Sequence, residues 1–177
     1  MKPARHIMLL APCLSALFAI MATGCNTSGC TDNQNSIPLA GFYSYETGEA
    51  VSLTGVEIGG VGAPGDSLLC TDSQTVNTIY LPFRSKYPSA TFYIRYLQEQ
   101  VVAYNLVDTL RFQYTAEPYF ASEECGAMYR YRITGLYHTK VLIDSVAITD
   151  SLVTNIDIER IKIYFNTSTD ENEPTTE

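Results

Sequence analysis

The sequence predicts an all-β protein: a single antiparallel β-sandwich of the immunoglobulin-like type with about eight strands, or alternatively a β-barrel. Two observations predict this fold. Short segments in which every second residue is apolar recur along the chain, as expected of strands with one buried face. Turn residues separate these segments, and no stretch has a clear helical period; residues 98–106 alone could form a short helix.

Eight segments carry the alternating pattern or a short apolar run between turn residues. They are 40–45, 50–58, 78–83, 92–97, 110–114, 129–133, 142–149 and 161–165. The turn signals between them are Thr47-Gly48, the glycine-rich loop 59–65, Tyr87-Pro88, Glu117-Pro118 and Gly135. This spacing favours a sandwich of short strands.

Alternation also divides the strand residues between two faces. The inward set is Phe92, Ile94, Leu110, Phe112, Tyr129, Tyr131, Ile161 and Ile163. The outward set is Arg95, Arg111, Arg130, Arg132 and Lys162, with Tyr93 and Tyr164 in the same register. Solvated sheet faces often carry such residues. They could also form a basic, aromatic docking surface for an acidic partner loop or an anionic glycolipid head group.

Composition limits the class of protein. The chain has 177 residues, of which 46% are hydrophobic and 17% charged, which is typical of one globular domain. Its formal net charge of -8 argues against a nucleic-acid partner, because such binding depends on basic patches that neutralise phosphates.

The N-terminus reads as a secretory signal peptide. Lys2 and Arg5 precede an apolar run over 7–20, which is shorter than the roughly 20 residues that a membrane span needs. The run ends in Ala22-Thr23-Gly24-Cys25, which resembles a bacterial lipobox, so we predict that Cys25 is acylated and becomes the new N-terminus. Acyl chains would hold the protein at a bilayer.

The remainder divides into three parts. Residues 25–36 are small and polar and suit a lipidated tether, and residues 37–167 carry the sandwich. Residues 168–177 contain four acids, no base and a proline, and we predict that they are disordered. The domain boundaries are therefore 1–24 for the signal peptide, 25–36, 37–167 and 168–177.

Several segments carry a resemblance. GCTDN (29–33), PLAGFY (38–43), GAPGDSLL (62–69) and EECG (123–126) are similar to segments of an uncharacterised family of small Bacteroidetes lipoproteins. LIDSV (142–146) and IKIYF (161–165) also fit. The family has no established activity, so the resemblance implies an envelope lipoprotein without implying a reaction.

Cysteine usage predicts one disulfide in an oxidising compartment. Cys30 and Cys125 fall in the family's segments, whereas Cys70 does not. We predict a Cys30–Cys125 bond with Cys70 as a buried free thiol; Cys30–Cys70 is the competing pair.

No catalytic device is evident, and we predict that the protein is not an enzyme and needs no cofactor. His138 is the only histidine after the signal peptide, and its place past Gly135 suggests a turn or strand end. Cys125 follows Glu123 and Glu124, whose charges disfavour a thiolate. No metal site is assigned. Calcium held by separate loops stays open, with the richest acidic stretches at 32–35 and 144–159.

Four Asp-(Ser/Thr)-apolar triplets fit the pattern that Bacteroidetes use for O-glycosylation of exported proteins. The candidate acceptors are Ser67, Thr109, Ser145 and Ser151. The same triplet also occurs where a turn leads into a strand, so both interpretations remain open.

These observations predict a non-catalytic interaction or accessory subunit of an outer-membrane assembly, anchored by Cys25, with an outer-membrane barrel protein as a candidate partner. No acidic run follows Cys25, which favours a position facing the periplasm. The alternative is a carbohydrate- or calcium-binding module, for which the 13 tyrosines would supply stacking surfaces.

Overall fold

Ten β-strands build the part of the chain that a computed structural model describes, residues 35–166. They are β1 (Leu39–Ser44), β2 (Val56–Gly60), β3 (Leu68–Cys70), β4 (Thr78–Tyr80), β5 (Ser89–Tyr96), β6 (Val107–Ser122), β7 (Gly126–His138), β8 (Ile143–Ile148), β9 (Leu152–Val153) and β10 (Glu159–Phe165). Two single-turn 3-10 helices occupy Pro64–Asp66 and Val102–Tyr104. Residues 35–166 contain no α-helix.

The strands form two sheets that pack face to face. One has four strands in the order β4-β1-β10-β8, and the other has six in the order β3-β2-β5-β6-β7-β9. Apolar side chains from both sheets join in one core. The predicted all-β sandwich is therefore confirmed.

One strand pair departs from the antiparallel pattern. β1 and β10 run parallel, with Phe42 opposite Ile163, whereas every other ladder among the described strands is antiparallel. A parallel pair needs a long connection between its strands. Here nearly the whole domain supplies it, because β1 and β10 are the first and last described strands.

Each of the eight predicted segments overlaps a strand, although 50–58 shares only residues 56–58 with β2 and 78–83 shares only 78–80 with β4. β3 and β9 were missed, because strands of three and two residues are too short to show alternation. The predicted short helix at 98–106 is a single 3-10 turn, Val102–Tyr104.

Two predicted turns are wrong. Glu117-Pro118 lies inside β6, where β7 is the only neighbour among the described strands. A proline is tolerated at such an edge because its missing N–H breaks no ladder bond. Gly135 lies inside β7, beside the point where the β6–β7 register shifts at Thr134. A Cβ at Gly135 would come within 2.7 Å of the amide oxygen at the end of the Gln113 side chain, so a larger residue there would require that side chain to move.

The core confirms most of the predicted inward face. Phe92, Ile94, Leu110, Phe112, Tyr131, Ile161 and Ile163 are all buried. Tyr129 is the exception and is 44% exposed. It shares the register of Tyr131 but lies on the part of β7 that, among the described strands, only β6 flanks.

The β6–β7 hairpin extends past the rest of its sheet. β5 pairs with β6 only as far as Gln113, and β9 pairs with β7 only at Tyr131 and Arg132. Residues 116–122 and 126–130 therefore form a two-stranded ribbon, which we call the arm. Phe120 on the arm is 67% exposed.

Candidate functional site

An aromatic cluster packs against the loop between β4 and β5 and holds it in place. The ring of Phe83 is buried and stacks on Tyr114, with centroids 4.3 Å apart and planes 6° from parallel. It meets the edge of Tyr131 at 5.7 Å. These contacts hold the segment 82–87 against the open end of the core.

The tyrosine hydroxyl groups also bind the loop's backbone. The Tyr114 hydroxyl accepts a hydrogen bond from the Arg84 N–H at 3.0 Å and donates one to the Arg84 carbonyl at 3.1 Å. The Tyr131 hydroxyl donates to the Phe83 carbonyl at 3.4 Å. Burial raises the pKa of Tyr114 and of Tyr131, so both hydroxyls stay protonated and able to donate at neutral pH. The loop is thus held in one conformation.

A groove of about 630 Å³ opens between this loop, the start of β7 and the chain that enters β1. We call it the tether-side groove. Its lining includes Asn35, Arg84, Lys86, Tyr87, Met128 and Tyr129. Among the described residues its lining has two cations and no carboxylate.

Neither cation of the groove is neutralised by a described residue. The ion pairs within residues 35–166 involve other side chains. The Arg84 guanidinium lies 4.5 Å from the centroid of the Tyr87 ring, and Tyr87 is 51% exposed. Such a lining can bind an anionic group beside an aromatic surface.

The predicted outward arginines do lie on the outer face of the six-stranded sheet, but two of them are paired. Arg95 bonds Glu57 at 2.7 Å, and Tyr93 also donates to Glu57 at 3.2 Å. Arg130 bonds Glu117 at 2.9 Å. Both side chains remain partly exposed.

Arg111 and Arg132 are different. Both are exposed, and neither forms an ion pair with a residue in the described range. Arg111 lies opposite Tyr137 across the β6–β7 ladder, and Tyr137 is 61% exposed. These three side chains form the exposed cationic and aromatic part of this face.

The other two predicted members, Lys162 and Tyr164, lie on the four-stranded sheet and so face the opposite side of the sandwich. The seven predicted residues therefore do not make one surface, because β10 belongs to a different sheet from β5, β6 and β7. The Lys162 ammonium lies 4.5 Å from the centroid of the Tyr43 ring, which is 5.6 Å from that of Tyr164. The Tyr43 hydroxyl donates to Glu159 at 2.7 Å, which raises its pKa to about 12.

Of the cysteines, Cys125 is disulfide-bonded, and Cys70 is a free, buried thiol. Cys25 and Cys30 lie outside the described residues, so lipidation and the identity of the bonded partner stay predictions. Burial raises the pKa of Cys70 and keeps it as a thiol.

The predicted glycosylation sites differ in accessibility. Ser67 and Ser151 are exposed, whereas Thr109 and Ser145 are half-buried. In the triplet of Thr109, the Asp108 carboxylate is fully buried and accepts the backbone N–H groups of Val141, Leu142 and Ile143. In the triplet of Ser151, Asp150 accepts the Leu152 N–H at 2.9 Å. Both carboxylates thus fix turns, while modification of the four residues stays a prediction.

His138 is the last residue of β7, in agreement with its predicted strand-end position. Its Nδ1 lies 2.9 Å from the Thr139 carbonyl. Within residues 35–166, no three His, Cys, Asp or Glu side chains are placed to share a metal ion. No helix in that range has the length and apolar character of a membrane span.

Sequence reasoning missed two kinds of residue. Arg84, Lys86 and Tyr87 lie in a loop, where alternation gives no information; the one available signal was two cations and two aromatic rings between Pro82 and Pro88. Arg160 was also missed. It is only 2% exposed and donates to the carbonyls of Leu152 and Ile156 at 2.9 and 2.7 Å.

Together the fold and groove define a two-sheet β-sandwich domain with an extended hairpin arm and an unneutralised cationic groove. The chain belongs to the family of unknown function DUF6452, whose model matches residues 55–165. That range includes the loop 82–87, the arm and all strands except β1. No curated protein matches the chain. No solved structure matches it.

Proposed function

We propose that the protein is a lipid-anchored, non-catalytic lipoprotein of the Bacteroidetes envelope, and that it serves as an interaction or accessory subunit of an outer-membrane assembly. Acyl chains on Cys25 hold it at the outer membrane, facing the periplasm. An outer-membrane barrel protein is the candidate partner. The signal-peptide pattern and the lipobox-like ending at Cys25 support the anchoring part of this proposal.

The interaction part depends on one observation: the exposed cationic face around Arg111, Arg132 and Tyr137. The whole chain has a net charge of -8. Two exposed guanidinium groups without an ion-pair partner among the described residues therefore give this sheet face a local positive charge. Arg132 lies opposite Thr115 across the β6–β7 ladder, and Thr115 is four positions from Arg111 on β6. The two arginines are therefore about 13 Å apart along the strand direction. Arginine and tyrosine at this spacing suit an acidic loop of a partner.

Affinity capture from detergent extracts of the envelope tests this interaction. Arg111→Glu combined with Arg132→Glu should reduce partner recovery by roughly tenfold or more, because both contacts become repulsive. Lys162→Glu, on the opposite sheet, reverses one positive charge away from this face and should leave recovery unchanged. Equal loss in both variants, or no loss in the arginine variant, would refute the assignment of the docking face.

The anchor has a separate test. Cys25→Ala should abolish palmitate labelling and release the protein from membranes or stall its processing. Unchanged labelling in the Cys25→Ala variant would refute lipidation at Cys25.

A carbohydrate-binding module is the second candidate, favoured by the paired rings of Tyr43 and Tyr164 on the four-stranded sheet. Aromatic rings on an outer sheet face can stack against sugar rings, and Lys162 beside them could bond a hydroxyl or carboxylate. Calorimetry with a panel of neutral and uronic-acid oligosaccharides would test this. Binding that is lost in Tyr164→Ala and kept in Tyr137→Ala supports the sugar site; absence of binding across the panel argues against it.

A further inference from the structure

We infer that the tether-side groove faces the membrane that holds the protein and binds the phosphate groups of lipid head groups through Arg84 and Lys86. This inference rests on the proposed lipid anchor. It adds the orientation of the domain relative to the membrane and the class of ligand that the groove binds. The groove is separate from the proposed docking face on the six-stranded sheet.

The chain before Asn35 links the groove's end of the domain to the predicted lipid. Asn35 lies in the groove's lining, ten positions after Cys25, and a chain of that length spans at most about 35 Å. That reach exceeds the length of β1, so the tether alone does not select an end of the domain. The predicted Cys30–Cys125 bond would shorten it, because Cys125 lies at the tip of the arm and Cys30 is five positions after Cys25, at most about 17 Å. With that bond formed, the lipid would be held at the arm's end of the domain, where the groove opens.

The opposite end of the sandwich lies farther away. β1 starts beside the groove and runs away from it through six residues, about 20 Å. The Ser44 end of β1 pairs with Phe165, and Asn166 bonds Leu142, so the β7–β8 loop with Lys140 belongs to the far end. Lys140 is exposed there and gives a matched control for Lys86.

Charge favours a phosphate ligand. Within residues 35–166 the groove's lining has two cations and no carboxylate, and neither cation has an ion-pair partner there. Cations near an anionic bilayer surface are attracted over about a Debye length. The Tyr114 hydroxyl fixes the Arg84 backbone, so the backbone of the loop is already ordered before a head group binds.

The aromatic residues at this end suit the same environment. Phe120, Tyr87 and Tyr129 are 67%, 51% and 44% exposed, and all three lie on the arm or the groove's loop. Tyrosine and phenylalanine rings are stable at the boundary between head groups and acyl chains.

The tip of the arm carries negative charge, which opposes contact with an anionic membrane. Glu123 and Glu124 are both exposed in the turn between β6 and β7, and an anionic surface repels them. These two carboxylates therefore weaken the contact that the groove's cations make. Removal of these two carboxylates should strengthen the contact, an effect opposite in sign to removal of the groove's cations.

Protection of lysine side chains from a water-soluble amine-labelling reagent tests the orientation. The full-length lipidated protein is reconstituted into phosphatidylcholine vesicles with or without phosphatidylglycerol. Labelling of Lys86 should be roughly fivefold slower with phosphatidylglycerol present, while labelling of Lys140 should not change. Arg84→Gln should reduce this protection, and Glu123→Gln with Glu124→Gln should increase it.

Each outcome separates the possibilities. Protein that floats with neither kind of vesicle refutes the anchor itself. Protein that floats but shows equal Lys86 labelling in both vesicles refutes the groove's role while leaving the anchor intact. Protection by inorganic phosphate in detergent, at equal ionic strength, would assign the site to a free anion and also overturn the inference.

Discussion

The Tyr114 hydroxyl holds the Arg84 backbone on both sides, because it accepts from the N–H at 3.0 Å and donates to the carbonyl at 3.1 Å. A residue of the core thereby fixes the conformation of a surface loop. The groove's cations depend on this contact for their position.

Tyr114→Phe removes both bonds while it preserves the aromatic stack. We expect a loss of about 1–3 kcal/mol in unfolding free energy and faster amide exchange at Arg84. Denaturant unfolding and hydrogen exchange measure these two effects. Tyr131→Phe is the control, because it removes only a bond of 3.4 Å and should cost less. An equal cost in the two variants would contradict this account.

The buried Asp108 carboxylate makes the free energy of unfolding depend on pH in the acid range. Burial opposes its ionisation, but hydrogen bonds from Thr139 and from three backbone N–H groups outweigh burial and lower its pKa below 3.8. Its contribution is therefore fully present above that value and is lost as the pH falls through the lower folded pKa. Tyr96 donates to the same carboxylate at 2.8 Å.

Asp108→Asn should consequently cost about 2–3 kcal/mol at pH 7, and its unfolding free energy should fall less than that of the wild type between pH 5 and pH 2, by thermodynamic linkage. Urea unfolding across that range measures the difference. Asp157→Asn, at an exposed carboxylate bonded to Tyr80, serves as the control and should stay close to the wild type. A parallel acid profile for Asp108→Asn would show that other groups govern the transition.

Arg160 holds the segment between β8 and β10, which includes β9. Its guanidinium donates to three carbonyls, those of Leu152, Ile156 and Ile158, and to the Thr154 hydroxyl at 3.2 Å, a set that a single ammonium group cannot reach. We expect Arg160→Lys to lower the unfolding free energy by about 3 kcal/mol, since a buried charge loses its partners. Arg111→Lys, at an exposed position, should change it by less than about 0.5 kcal/mol. Thermal and denaturant unfolding measure the change in unfolding free energy for both variants. An Arg160→Lys variant that loses little unfolding free energy would refute this role.

Cys70 should react with a thiol reagent only after unfolding, because its side chain is buried and its pKa is raised. Thiol titration with and without denaturant measures this difference. Non-reducing peptide mapping should find Cys125 joined to Cys30. Recovery of Cys70 in a disulfide with either cysteine would overturn both statements.

The sequence by itself determined most of the strands and the faces of most strand residues, because alternation has a period of two and is set by each residue's neighbours in the chain. Phe92, Ile94, Leu110 and Phe112 face inward for that reason. The same local rule could not show where a sheet ends, so Tyr129 kept the inward register yet became exposed on the arm.

Only the tertiary structure decided which residues from distant parts of the chain meet. It paired β1 with β10 in parallel, and it placed Lys162 on the opposite side from Arg111 because their strands belong to different sheets. It also buried Arg160 and brought the loop 82–87 against β7 to make the groove. These contacts depend on sheet order and packing, which join residues far apart in sequence and leave no periodic signal along the chain.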